Sequence, residues 1–207
     1  MYYDNSSKST LFKIYYNLWT LFINILFISI FLPLFLITSP VIWLLNFKYN
    51  PGPLLFYQMR EGRNQKLFKM VKYRTMVTSA ESNGPRWASQ NDERITRLGK
   101  LLRETRFDEI PQVINVLLLE INLIGPRAER PELSKVIIKT IPNFHDRLTV
   151  KPGITGLAQI RSGYTNDIDG AKTKLTQDLF YIKNQSILID LRILMGTVGT
   201  VLKKLGY

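Results

Sequence analysis

Hydrophobic and polar positions are distributed very unevenly along this chain. Between Lys13 and Lys48 stand 34 residues without a charged side chain, dense in Leu, Ile and Phe. That exceeds the roughly 20 apolar residues a bilayer-crossing helix needs. The core helix of a soluble domain rarely runs so long. A cleaved signal peptide has an apolar region of only about 7 to 15 residues, ending in a small-residue cleavage site, and no such site follows here. The run predicts a membrane helix. Pro40, preceded by Ser39, removes the N–H that would reach the carbonyl of Leu36 and pushes Ser39 away from helical geometry. A bend or break is expected there, with the Ser39 hydroxyl placed to satisfy a carbonyl one turn back, and Pro33 adds a gentler kink. Two geometries follow: a spanning helix over about residues 18 to 38, or a helix that bends at Ser39 and Pro40 and returns to the same face. Lys8 and Lys13 before the run, and Lys48, Arg60 and Arg63 after it, favour both flanks on the cytoplasmic side. From the residues alone, spanning is the more ordinary geometry, since re-entrant helices are uncommon.

Beyond the run, residues 48–207 suffice for one domain with its own core. The stretches LLFYQ and KLFKMVKYRTM flank a turn at Glu61, Gly62, Arg63 and Asn64 and predict a β-hairpin. Strand alternation puts Lys72 and Arg74 on one face, a pair suited to a phosphate or diphosphate or, more ordinarily, to a solvated edge. Residues 80–93 have turn composition. A helical pattern then runs from Arg94 through Ile95, Leu98, Leu101 and Leu102 to about Thr105, with Arg103 near its end. In RFDEIPQVINVLLLEINLIGPR, Pro111 fits only the first turn of a helix, which predicts Asp108 at or near the N-cap and Glu109 just inside. An aspartate there is most often a cap; the same place would keep a carboxylate ionised and exposed, with the helix dipole favouring its negative form. The helix that follows is apolar almost all round from Val113 to Leu119, so it is buried or dips toward lipid. VKPGITGLAQ reads as a tight loop between extended pieces whose amides could approach an anion. The segment from Ser186 to Leu205 is an amphipathic helix closed by Lys203 and Lys204, suited to a membrane surface or to the domain core.

Charge and composition narrow the chemistry. Residues 48–207 carry 26 Lys and Arg against 15 Asp and Glu, which favours anionic partners: lipid headgroups, phosphates or nucleic acid. No cysteine and one histidine, His145, exclude disulfides and leave no His/Cys zinc site, so any metal would be held by oxygen. His145 is read as a surface or hydrogen-bonded residue without a catalytic role.

Taken in order, TSP at the bend, PGPLLFYQMREGRNQKLFKMVKYRTM, RITRLGKLLRETRFDEIPQVINVL, IGPRAERPEL, RLTVKPGITGLAQ and DLFYIKNQSILIDLRIL resemble the bacterial sugar transferases, the monotopic polyprenyl-phosphate phosphoglycosyl transferases that start cell-surface glycan or exopolysaccharide assembly. The resemblance covers nearly the whole chain. It implies a mixed, helix-rich α/β monotopic membrane protein: a tail and broken re-entrant membrane helix over residues 1–47, a small β-hairpin or sheet, surface amphipathic helices, and a membrane-associated catalytic domain over 48–207. It also reverses the spanning geometry, because shorter members break a re-entrant helix at Ser-Pro, matched here by Ser39 and Pro40. The implied reaction moves a sugar phosphate from a UDP-sugar to polyprenol phosphate, undecaprenyl phosphate in a bacterial inner membrane, on the cytosolic face and with release of UMP. Asp108 becomes the nucleophile and Glu109 its partner, both near Mg²⁺; Lys72, Arg74, Arg103 and Arg127 become phosphate contacts. An ionised carboxylate needs no base to attack, only relief of charge. The partners implied are UDP-sugar, polyprenol phosphate and membrane lipid, with no nucleic acid; sugar, polyprenol length and oligomeric state stay open. The lack of further N-terminal helices reads as a minimal catalytic unit. Two departures stand out: Ala128 where a second proline commonly follows GPR, and Leu118 and Leu119 where a basic residue and glycine are usual, which could extend the preceding helix.

Two rival functions are carried forward. Asp167, Ile168 and Asp169 form a D-x-D string of the kind that holds a divalent metal in glycosyltransferases releasing UDP, and a solvated loop is the plainer reading. The basic domain could also be a non-catalytic, membrane-tethered binder of acidic lipid or nucleic acid.

Overall fold

The computed structural model describes residues 9–82, 84, 92–162 and 168–202. It is helix-rich with two small sheets, in the order α1 Thr10–Tyr49, β1 Leu55–Glu61, β2 Leu67–Tyr73, α2 Arg97–Glu104, α3 Val113–Leu117, β3 Asn122–Ile124, α4 Pro131–Thr140, β4 Gly153–Thr155, α5 Leu157–Ser162, α6 Ile168–Lys183 and α7 Ile187–Leu202. Lys8, Asp167, Lys203, Lys204 and positions 83 and 85–91 of the expected loop lie outside the described residues.

The charge-free run folds as one helix, long and apolar enough to cross a membrane. Ser9 caps it, accepting the Phe12 N–H at 3.2 Å. It continues for 40 residues through Pro33 and Pro40, about 60 Å at ~1.5 Å per residue, or roughly twice a bilayer's hydrocarbon thickness. The expected break at Ser39 and Pro40 is therefore not an interruption of helical structure. Hydroxyls brace the turn that proline weakens: Thr38 Oγ1 donates to the Leu34 carbonyl at 2.8 Å and Ser39 Oγ to that of Phe35 at 2.7 Å. From β2, the Tyr73 hydroxyl lies 2.7 Å from Ser39 Oγ and 3.1 Å from Thr38 Oγ1. Ser39 thus bonds the carbonyl of Phe35 and not that of Leu36, which Pro40 deprives of its N–H.

One stripe of α1, at helical steps of four and seven, meets the rest of the protein along its whole length. Trp19 and Ile23 pack with Ile124, Leu157, Tyr181 and Ile193. Phe27 and Phe31 pack with Phe68, Val113, Val116 and Ile121. Phe35 and Ile42 pack with Tyr73, Leu98, Leu102 and Ile110. Polar residues in the stripe are used as well: Trp19 Nε1 donates to Asp190 of α7 at 2.9 Å, and Asn24 accepts from Leu123 N–H at 2.9 Å. The opposite face leaves Leu18, Phe22, Ile25, Leu36, Leu44 and Phe47 exposed.

The expected hairpin forms, with β1 running on to Glu61 so that Leu55 faces Tyr73 and Glu61 faces Leu67. Its far end is held from outside: Glu61 N–H donates to the Glu129 carbonyl at 2.9 Å and Ser134 Oγ to the Glu61 carboxylate at 2.6 Å. The helix expected from Arg94 begins at Arg97, because Ile95 is drawn into an extended bridge with Met76 and Thr96 takes the cap, accepting from Gly99 N–H at 3.0 Å. VKPGITGLAQ supplies β4 and the start of α5. Part of it serves a sheet: β4 pairs in parallel with β3, and Gly153 N–H donates to the Pro126 carbonyl at 2.9 Å. A Cβ on Gly153 would lie 2.1 Å from Gly125 N, so only glycine lets the two strands come this close. α3 stops at Leu117, and Leu119 follows with φ 59°, the left-handed turn that favours glycine. Leu118 and Leu119 therefore do not extend the helix. α7 forms where a helix was expected, but the face it leaves exposed is itself apolar, with Leu188, Leu191, Met195 and Val198 exposed while Asp190 and Ile193 are buried.

Candidate active site

The dyad is set by a short 3₁₀ turn, Phe107–Gln112, that leads into α3. Arg106 opens it in a left-handed conformation, φ 61°, and occupies the cap position expected for Asp108. Asp108 and Glu109 lie in its first turn, while Pro111 stands further inside the segment and not in the first turn as expected. The turn is fixed to β2 through Asn115, in the next helix. Its Oδ1 accepts Val71 N–H at 3.0 Å, and its Nδ2 donates to the Lys69 carbonyl at 2.8 Å and to Glu120 at 2.7 Å. Nothing in the reading of the sequence singled out Asn115. The signal was present as one amide within an apolar helical run, where a polar side chain needs buried partners.

Lys72 Nζ, from β2, donates to Glu109 Oε1 at 2.7 Å and lies 4.0 Å from Asp108 Oδ2. Arg127 Nη2, from the turn after β3, donates to the same Glu109 oxygen at 2.8 Å. Glu109 thus clamps two cations with one oxygen, while Asp108 Oδ1 is buried without a hydrogen-bond partner. The exposed carboxylate expected for Asp108 is corrected: the residue is only 8% exposed. Burial pushes its pKa up, Lys72 offsets part of that rise, and the negative Glu109 adds to it. Burial opposes ionisation of Glu109 too, but Arg127, Lys72 and Arg106 outweigh it and hold its carboxyl well below the usual range. The two carboxylates are therefore unequal, one clamped and charged, the other buried with an unpartnered oxygen.

Of the four expected phosphate contacts, Lys72 and Arg127 join the dyad directly. Arg103 sits in the last turn of α2, its Nε donating to Thr75 Oγ1 at 2.9 Å while its charge favours the ionised Asp108. Arg74 does not join them. β2 ends at Tyr73, so strand alternation no longer governs Arg74, and its guanidinium turns to Asn50 and Pro53. Nε donates to the Pro53 carbonyl at 2.8 Å, Nη1 to Asn50 Oδ1 at 2.7 Å and the Met76 carbonyl at 2.8 Å, and Nη2 to the Asn50 carbonyl. Gly52, at φ 124°, makes room: a Cβ there would stand 3.1 Å from the guanidinium. Arg74 locks the end of α1 to the hairpin.

Among the described residues, no group of three or more His, Asp or Glu side chains could by itself hold a metal. The dyad offers the free oxygen of Asp108, a donor set that fits Mg²⁺, which commonly takes one or two carboxylates and fills its octahedron with water and phosphate oxygens. Asp169, the described half of the D-x-D string, is exposed and pairs with Lys172 at 3.3 Å. His145 is half-buried, its Nε2 3.6 Å from the Glu61 carboxylate and without a hydrogen-bond partner.

The sequence profile of the family described as bacterial sugar transferase matches residues 14–204. A UDP-N-acetylgalactosamine-undecaprenyl-phosphate N-acetylgalactosaminephosphotransferase of Aeromonas hydrophila is 39% identical over 179 residues, 86% of this chain and 41% of that protein. An exopolysaccharide production protein, PSS, of Rhizobium leguminosarum bv. phaseoli is 40% identical over 161 residues, 75% of this chain and 80% of that protein. A UDP-glucose:undecaprenyl-phosphate glucose-1-phosphate transferase of Caulobacter vibrioides is 35% identical over 176 residues, 84% of this chain and 64% of that protein. The chain thus spans less than two thirds of the length of the Aeromonas and Caulobacter proteins.

Proposed function

The chain belongs to the bacterial sugar transferase family, and on that premise we propose that it transfers a sugar phosphate from a UDP-sugar to a polyprenol phosphate, with undecaprenyl phosphate, named for its relatives, as acceptor. The observation that carries the mechanism is the unpartnered, buried Asp108 Oδ1 beside a Glu109 that clamps Lys72 and Arg127. In the first step an oxygen of Asp108 attacks the phosphorus that bears the sugar. The bond from that phosphorus to the bridging oxygen breaks, UMP leaves with the bridging oxygen, and a phosphosugar remains on Asp108. A phosphate oxygen of the polyprenol phosphate then attacks the same phosphorus, which frees the carboxylate and yields polyprenol diphosphate sugar. Both steps bring anion to anion. Lys72, Arg127 and Arg103 are the cations at hand to stabilise the crowded phosphoryl oxygens. Mg²⁺, held by the dyad and by substrate phosphate, supplies further neutralisation when bound.

A monotopic placement, both flanks of α1 on the cytosolic face of the inner membrane, is supported by the contacts of α1. Trp19, Asn24, Ser39 and Asn50 all bond to the same folded body. A helix crossing between residues 18 and 38 would carry Leu123, Tyr73 and Asp190 into hydrocarbon with it, where polar groups are costly. The relatives differ in the sugar they are named for, N-acetylgalactosamine or glucose, so the donor is to be found by trial. Membranes containing the chain, supplied with undecaprenyl phosphate and a panel of UDP-sugars, are expected to release UMP from at least one donor. Release of UDP in its place overturns the mechanism and favours direct glycosyl transfer.

The acid limb of that activity has a predictable direction. The nucleophile works ionised, burial raises its pKa, and Lys72 lowers it. Lys72→Met leaves burial and the negative Glu109 unopposed by that charge, so the fall in rate toward acid is expected at higher pH. The pH profile of UMP release measures it; an unmoved limb would show that Lys72 does not govern Asp108.

A further inference from the structure

The helix that follows the dyad ends in three consecutive exposed leucines: Leu117, Leu118 and Leu119 are 51%, 62% and 61% exposed. Three neighbouring leucines left in water forgo the stabilisation that burial would give them. Leu119 also holds a left-handed backbone, φ 59°, which an L-residue adopts at a cost. Two further observations say what covers them. The tip leaves no backbone donor unmet: Leu118, Leu119, Glu120 and Ile121 N–H donate to the carbonyls of Ile114, Val116, Asn115 and Asn115 at 2.9, 3.0, 3.0 and 3.4 Å. The one charge beside it, Glu120, is turned inward and accepts from Asn115 Nδ2 at 2.7 Å. An apolar turn whose N–H groups and charge are all satisfied from within is what hydrocarbon demands and water does not. The body of α3 also packs through Val113 and Val116 on Phe27, with Phe31 and Phe35 against the same cluster, so the tip extends from a helix seated on α1, whose opposite face is exposed and apolar.

We propose that Leu117, Leu118 and Leu119 form a second membrane contact, inserted among lipid acyl chains beside α1, which fixes how deep the dyad sits. This rests on the membrane placement proposed above. The turn that carries Asp108 begins the same helical segment, so the tip lies no more than about 15–20 Å from the dyad along the chain axis, and a lipid-bound acceptor phosphate would then meet Asp108 near headgroup level.

The chain has no cysteine, so one introduced thiol gives one label. Leu118→Cys, Leu44→Cys on the exposed face of α1, and Lys139→Cys on the exposed face of α4 would each carry bimane in the full chain, reconstituted in phosphatidylethanolamine and phosphatidylglycerol vesicles. Nitroxide-labelled acyl chains are expected to quench the label at positions 118 and 44, with a blue shift at both, while aqueous iodide quenches the one at 139. Iodide quenching at 118 with lipid quenching kept at 44 overturns the tip and leaves the membrane placement standing. Loss of lipid quenching at 44 removes the placement itself. A label at 118 that neither quencher reaches indicates contact with a second copy of the chain, and that also overturns the proposal.

Discussion

Asp108→Asn is expected to lower UMP release by roughly 10⁴-fold or more, the scale on which a covalent nucleophile is lost. The amide keeps the size of the carboxylate, and the fold should accept it readily. Burial already penalises the charge of Asp108, and Oδ1 makes no hydrogen bond that the substitution would break. Donor binding should survive as well, because Lys72 and Arg127 are organised by Glu109. Glu109→Gln should behave differently. It releases both cations from their shared oxygen, so it is expected to weaken donor binding as well as turnover. The measurement is UMP release beside UDP-sugar affinity for each variant. Turnover within about tenfold of the parent in Asp108→Asn would remove that residue from the nucleophile's role.

The largest effect on stability is expected away from the dyad. Arg147 and Asp178 form an ion pair at 2.8 Å with side chains 2% and 1% exposed, and the same guanidinium donates to the Arg127 carbonyl at 2.6 Å. Removing one partner leaves the other charge buried alone, so Asp178→Ala is expected to cost about 3–5 kcal/mol. The pair is not a bonus of that size. Burial pushes the Asp178 carboxyl up to about 6 even with Arg147 beside it, which means desolvation exceeds the attraction. Replacing both, Arg147→Met with Asp178→Leu, is therefore expected to recover most of the loss. Denaturant midpoints in detergent micelles would decide it; a double variant as unstable as Asp178→Ala would mean that the polar contacts themselves hold this region. Because Arg147 holds the backbone of Arg127, the double variant should still transfer more slowly.

What the sequence made legible was what depends on neighbours in the chain. The presence of a long apolar helix follows from the uninterrupted run, though not its continuation through Pro40, and the hairpin follows from two alternating stretches around Gly62. The misreadings came from contacts that join distant segments. Arg74 shares a face with Lys72 only while the strand lasts, and Asn50 and Pro53, more than twenty positions earlier, take its guanidinium. Asp108 reads as an exposed cap because nothing local reveals that β2 and the turn after β3 close over it. Pro40 reads as a break because the Tyr73 hydroxyl, 2.7 Å from Ser39, cannot be inferred from the membrane segment alone.

The bonds from Tyr16 and Trp19 to Asp190 join helices more than 170 positions apart, at 3.3 and 2.9 Å. During synthesis α1 emerges long before its partner on α7 exists. Contacts of such separation form late and slowly, so Tyr16 and Trp19 wait for Asp190 long after Phe27, Phe31, Phe35 and Ile42 have met their partners between Phe68 and Ile121. The N-terminal turns of α1 are therefore closed onto the body only once α7 has been made.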